Sequence, residues 1–279
     1  MPLRNRSCLA SGWRSLAAVA SMEPLFEGDE WASLRKKRNL LRRSRKHLLL
    51  AKLTDAEKQA IRRYIFVDLG SRSFSSSTED FLNTYPESRR FHVHAFEMDE
   101  AYAKEWRSTA LQHGTRAMSF HLTQAGVSDR DGRVVVAAGS KALMKNIAGK
   151  GYTGQQARTG AAASAAASLE EIRTLNFSRW LKKNVDESDF VVVKMDIEGS
   201  EYVVLPSLLA SGAIVLIDEM MLETHYDRRS WKSTDRSAVC SAARNARIEQ
   251  SGNACIHRHE ALTWIHYLRS ICVHVHEWT

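Results

Sequence analysis

Four short apolar runs constrain the fold more than any other feature of the chain. They are residues 64–68 (YIFVD), 91–97 (FHVHAFE), 190–196 (FVVVKMD) and 213–222 (AIVLIDEMML). Three contain an almost unbroken stretch of apolar residues, the pattern of a strand buried on both faces. Helical patterns stand between them. Residues 76–85 read as a helix stopped by Pro86, and 101–113 as a helix ended by Gly114. Residues 200–210 are a helix with Gly212 as its cap, and 254–269 an amphipathic helix before a closing strand at 271–277. Residues 118–126 and 133–138 flank the turn DRDG at 129–132 and are expected to pair as a hairpin. Strands alternating with helices over more than 200 residues predict an α/β fold with a doubly wound, Rossmann-like sheet.

The charge is unevenly divided. Residues 1–63 hold 15 Lys/Arg and 6 Asp/Glu, a net +9, so the remaining 25 Lys/Arg and 26 Asp/Glu leave 64–279 at −1. The basic character belongs to an arm, placed at 1–53, ahead of a domain at 54–279. Residues 35–46 (RKKRNLLRRSRK) carry eight basic residues and no acid, a candidate contact for an anionic partner on a basic helix. Residues 1–22 have three arginines, four serines and no acid, as in an organelle transit peptide. The basic run points instead to nucleus or cytoplasm, so the compartment stays open. Thr54 and Glu57 read as a capping box opening a short helix. Residues 139–168, with five glycines and the run AAASAAAS, are expected to be a flexible insertion. No run of 18 apolar residues occurs, so no transmembrane segment is expected.

In a doubly wound sheet, ligands sit beyond the carboxyl ends of the strands. Those ends carry Asp68, Gly70 and Arg72, then Glu97, then Asp196, Glu198 and Glu201, then Glu223 and His225. Gly70 allows a tight turn and close backbone approach. An acid at the first strand, a glycine after it and an acid at the second suit a nucleoside without phosphates. Neither G-x-G-x-x-G nor G-x-x-x-x-G-K-[ST] is present, which disfavours a pyrophosphate cradle and excludes a P-loop. S-adenosylmethionine fits this chemistry better than NAD or ATP. Asp196-Ile-Glu198 is also a D-x-D spacing of the kind that holds a divalent ion in nucleotide-sugar transferases, but no nucleotide-phosphate motif accompanies it.

The stretch Val192-Val-Lys194-Met-Asp196-Ile-Glu198-Gly199-Ser-Glu201 resembles the strand-four signature of FkbM-type methyltransferases. The longer pattern, with Val67-Asp68-Leu-Gly70-Ser-Arg72-Ser, Ala95-Phe-Glu97, Leu222-Glu223-Thr-His225-Tyr226 and Val275-His276-Glu-Trp278, resembles a plant group of FkbM-like proteins of unknown substrate. The resemblance covers roughly residues 64–278 in scattered blocks. It implies a class I methyltransferase fold, S-adenosyl-L-methionine as cofactor, and O-methylation of a hydroxylated small molecule or carbohydrate. It further implies Asp68 and Gly70 at the methionine end, Glu97 at the ribose, Gln124 and Ala125 near the adenine, and Asp196, Glu198 and Glu201 beside the transferring methyl. The family's loop has glycines at alternate positions after the acid, and this chain departs from that with Gly70-Ser-Arg72-Ser-Phe74; Arg72 either reaches the cofactor's carboxylate or blocks approach to the backbone. From position alone, Glu198 or His225 is the candidate general base, and Asp196 the positioning group.

Two other functions compete: a catalytically silent binding protein on the same fold, favoured by the substituted loop, and a nucleic-acid-associated protein using the basic arm. Three H-x-H pairs (His92/His94, His257/His259, His274/His276) lack a completing Cys or acid pattern and read as hydrogen-bonded histidines, so no metal is expected. Cys8, Cys240, Cys255 and Cys272 form no C-x-x-C pair and are expected to be reduced thiols.

Overall fold

A computed structural model describes residues 48–137, 169–223 and 257–277. Its centre is a parallel six-stranded sheet. The strands are β1 (Tyr64–Leu69), β2 (Phe91–Glu97), β3 (Ser119–Gln124), β7 (Phe190–Met195), β8 (Glu219–Leu222) and β9 (His274–Glu277), in the order β3-β2-β1-β7-β8-β9. Every neighbouring pair in it is parallel. Parallel neighbours need crossovers, and helices supply most of them. In chain order the helices are α1 (Asp55–Ala60), which precedes the sheet, and then α2 (Thr78–Thr84), α3 (Glu100–Gln112), α4 (Phe177–Asn184), α5 (Glu201–Ser211) and α6 (His257–Ser270).

The apolar runs are central strands because both sheet faces are covered. Alternate residues of β1 separate cleanly: Ile65, Val67 and Leu69 face a core with Leu181 of α4, Leu205 of α5 and Trp264 of α6. Tyr64 and Phe66 face a second core with Phe81 of α2 and Trp106 of α3. Each such fully buried side chain contributes about 1.5–3 kcal/mol of transfer free energy. No helix among the described residues is long and apolar enough to cross a membrane.

Several local expectations hold. Thr54 accepts from the backbone N–H of Glu57, whose carboxylate accepts from the N–H of Thr54, completing the capping box of α1. Gly212 takes the left-handed conformation (φ 73°) that ends α5. Others change. The segment 118–126 does not pair with 133–138. It splits at Ala125, whose N–H donates to the carbonyl of Glu97, into β3 and β4 (Gly126–Ser128). In a separate three-stranded sheet, β6 (Leu169–Asn176) lies between β4 and β5 (Gly132–Ala137). The sequence of β6, LEEIRTLN, has too few apolar residues for its pattern to stand out. The run 213–222 is not one strand. Ala213–Leu216 is a 3-10 turn, and β8 has only four residues.

Leu48–Leu53, given to the arm by charge, packs into the body. Leu48, Leu49 and Leu50 are buried against the second core, around a 3-10 turn at Leu49–Lys52. Cys272 is disulfide-bonded rather than a free thiol; its partner lies outside the described residues. It is buried in the tight turn between α6 and β9, a proximity that linear spacing did not reveal. The basic run 35–46 and the insertion 139–168 lie outside the described residues.

Candidate active site

The carboxyl ends of β1, β2 and β7 meet around a pocket whose lining includes Gly70, Glu97, Met98, Ala125, Val127 and Ile197. Three residues expected to hold a cofactor, Gly70, Glu97 and Ala125, are therefore brought together. Gln124 is not among the lining residues. Its side chain is exposed and its Oε1 accepts from Arg107 of α3 at 3.4 Å. The strand alternation that turns Ala125 inward turns Gln124 out.

Gly70 has φ 74°, and a Cβ there would stand 1.9 Å from the carbonyl oxygen of Asp196. The glycine is required because the ends of β1 and β7 close against each other, with the N–H of Asp196 donating to the carbonyl of Leu69. The loop after Gly70 is pinned from several sides. The N–H groups of Gly70 and Ser71 both donate to the carbonyl of Phe96, and that of Arg72 donates to Glu97 Oε2 at 2.7 Å.

Arg72 itself has φ 52°, the left-handed region that the family's glycines suit. Its guanidinium does not plug the pocket. It is exposed and lies 5.4 Å from the ring centre of Tyr102 on α3. The Tyr102 hydroxyl, then Glu198 and Glu97, push its pKa up.

Glu97 is 5% exposed and lines the pocket. Its Oε1 accepts from the N–H of Asp99 at 2.8 Å, and its Oε2 from Arg72. Burial raises its pKa and outweighs these hydrogen bonds. The N–H of Met98 also acts on this carboxylate, and a carboxylate keeps acceptor capacity beyond three such donors for a ligand.

Asp68 is not among the residues that line the pocket. It is fully buried, with Oδ2 accepting from the hydroxyls of Ser77 and Thr78, each at 2.7 Å. Thr78 in turn accepts from the indole N–H of Trp106. The sequence reading assigned no role to Lys194, the one charge inside the run FVVVKM. It is 2% exposed and donates to the carbonyl of Gly70 and to Asp196 Oδ2, both at 3.0 Å; Asp68 Oδ1 lies at 3.6 Å. Burial pushes its pKa down, but Asp68 and Asp196 outweigh that and raise it. A lysine amid valines was the available signal, since a buried ammonium requires acids around it.

Past β7, the carboxylate of Glu201 accepts from the N–H groups of Ile197 and Gly199, folding the turn ahead of α5. Glu201 thereby shapes the loop ahead of α5. The same turn holds Glu198 at φ 53° and Gly199 at φ 107°. A glutamate in that conformation costs about 1–2 kcal/mol, compensated by the surrounding hydrogen bonds. Asp196 and Glu198 remain partly accessible at this edge. His225 lies outside the described residues.

The Methyltransferase FkbM domain matches residues 68–239, from the first acid of this site to beyond β8. The chain belongs to the FkbM methyltransferase family. No curated protein and no solved structure matches it. The sheet and the pocket at its carboxyl edge fit that membership.

Proposed function

We propose that this FkbM-family methyltransferase uses S-adenosyl-L-methionine to O-methylate a hydroxylated small molecule or carbohydrate. The observation that supports this reading is Glu97. A buried carboxylate at the end of β2 lines the pocket and keeps acceptor capacity beyond its backbone N–H partners, as a ribose hydroxyl requires. Met98, Ala125 and Val127 give the same pocket apolar walls suited to a purine. When bound, the cofactor supplies an electrophilic methyl group on a sulfonium.

The chain's own residues have separate tasks. Lys194 fixes the carbonyl of Gly70 and the carboxylate of Asp196 together, so the two strand ends hold one geometry. Asp196, its charge offset by Lys194, orients the acceptor. Glu198, partly exposed at the same edge, takes the proton from the acceptor hydroxyl; His225 is the other candidate for that step. Arg72, turned onto Tyr102, stands at the rim and leaves the pocket open. An anionic partner for residues 35–46 rests on their charge alone.

The test is calorimetric titration of S-adenosylmethionine and S-adenosylhomocysteine into the full chain and its Glu97→Ala variant. The reading expects a dissociation constant of about micromolar order, weakened about 100-fold in a variant shown by its melting transition to be folded. Absence of binding to folded wild-type protein defeats it.

A further inference from the structure

The pair His274/His276 has an acid beside it that the linear pattern did not disclose. In the β8–β9 register Glu219 lies opposite His274, and Met221 opposite His276. Strand alternation puts Glu219, His274 and His276 on one face of the sheet. All three are buried, at 0%, 1% and 3% exposure, and one ligand atom from each lies within 4.8 Å of the others. His276 Nε2 is 2.6 Å from Glu219 Oε1.

A wholly buried carboxylate needs compensating positive charge. Among the described residues, the ion pair of Glu219 is with His276, which is charged only when protonated. Around the carboxylate stands a shell of donors. The N–H of Leu49 reaches both its oxygens at 3.2 Å, and the Tyr85 hydroxyl donates to Oε2. Outer-shell hydrogen bonds of this kind orient a metal-ligating carboxylate.

We propose that Glu219, His274 and His276 bind one divalent ion of the zinc class. Two imidazoles and a carboxylate suit Zn²⁺, with a fourth corner left for water or the Tyr85 oxygen. Binding requires Glu219 Oε1 and His276 Nε2 to part to about 3.3 Å, the spacing of ligands roughly 2 Å from a tetrahedral ion. The site lies in the second core, beneath Leu49 and Tyr85, and not among the residues lining the Glu97 pocket. Its task is structural. It fastens the closing strand β9, an edge strand of four residues, to β8 and to the N-terminal turn at Leu49. The pair His92/His94 does not repeat the arrangement. His92 Nδ1 is hydrogen-bonded to Ser119 at 2.9 Å, and His94 stacks on His121.

Purified full-chain protein, stripped with chelator and reconstituted with ZnCl₂, is assayed for metal by mass spectrometry and for stability by melting. Co²⁺ serves as the spectroscopic probe. The proposal expects about one ion per chain, a higher melting temperature with zinc, and a visible Co²⁺ spectrum of low coordination number. His276→Ala and Glu219→Gln lose the ion. Tyr85→Phe weakens it by about 10-fold or more. His92→Ala/His121→Ala retains it. Wild-type protein that is folded yet neither holds zinc nor shifts its melting temperature overturns the proposal. That result needs no variant to fold. Loss of the ion in His92→Ala/His121→Ala with retention in His276→Ala overturns it equally.

Discussion

Asp68 and Glu97 end adjacent parallel strands, and in sequence they look alike: an acid closing an apolar run. Their environments are opposite. Asp68 is enclosed by Ser77, Thr78 and Lys194 and does not line the pocket. Glu97 accepts from backbone N–H groups and lines it. The first acid ties α2 and β7 to β1, and the second lines the pocket. The same residue type at equivalent strand ends therefore has different work, decided by which side chains close over it.

The comparison breaks if the two acids respond alike to mutation. Asp68→Ala removes the acceptor for two hydroxyls and one of the acids around a buried ammonium. It is expected to destabilise the fold by about 3–5 kcal/mol in urea denaturation. Any protein that remains folded should bind S-adenosylmethionine within about threefold of wild type, since less than 0.7 kcal/mol of binding free energy is at stake. A loss of binding without a loss of stability would place Asp68 on the ligand after all.

A third acid sharpens the contrast. Asp189, just before β7, accepts from both Arg62 and Arg63 at the opposite end of the sheet. Burial pushes its pKa up, but the hydrogen bonds from Arg63 and Arg62 outweigh that and hold it at about 2. A depressed carboxyl pKa stabilises the fold above the unfolded value of 3.8, and the contribution is lost as pH falls through about 2. The arginines are 49% and 39% exposed, so solvent screening reduces the effect to about 1–2 kcal/mol. Urea melts between pH 5 and pH 2 should show that loss in wild type and not in Asp189→Asn.

The smallest effect is expected at the loop between the two strand-end acids. In Arg72→Gly, relief of the left-handed backbone gains about 1–2 kcal/mol. Added freedom of the unfolded chain costs about 0.5–1 kcal/mol. The lost contact with Tyr102 costs about 0.5 kcal/mol more. Stability should change by between about −0.5 and +1 kcal/mol, and cofactor titration should give an unchanged constant. Tenfold tighter binding would show that Arg72 obstructs the pocket.

Much of this was legible in the chain because local rules are strong where both faces of a strand are buried. The apolar runs at β1, β2 and β7 had to be central strands, and acids at their ends had to meet at one edge. The block from Lys194 to Glu201 carried enough specific residues to announce the family. The basic arm was legible as charge, but Leu48–Leu53 had to be given to the body by contact. Apolar leucines following a basic run carry no marker of what they pack against.

Tertiary structure alone decided the rest. It put β6 between β4 and β5, because strand order depends on pairing partners far apart in sequence. It required Gly70 for the approach of Asp196 from 126 residues away, a contact no turn signal encodes. It set Glu219 against His274 and His276, since parallel register brings distant strands level and only then do one carboxylate and two imidazoles share a face. The chain's local pattern was enough for the central strands β1, β2 and β7 and for the family, because propensity and motif are local. Which acid lines the pocket, which acid is enclosed and which acid meets two imidazoles was settled by packing, because the surroundings of a charge are a property of the folded chain.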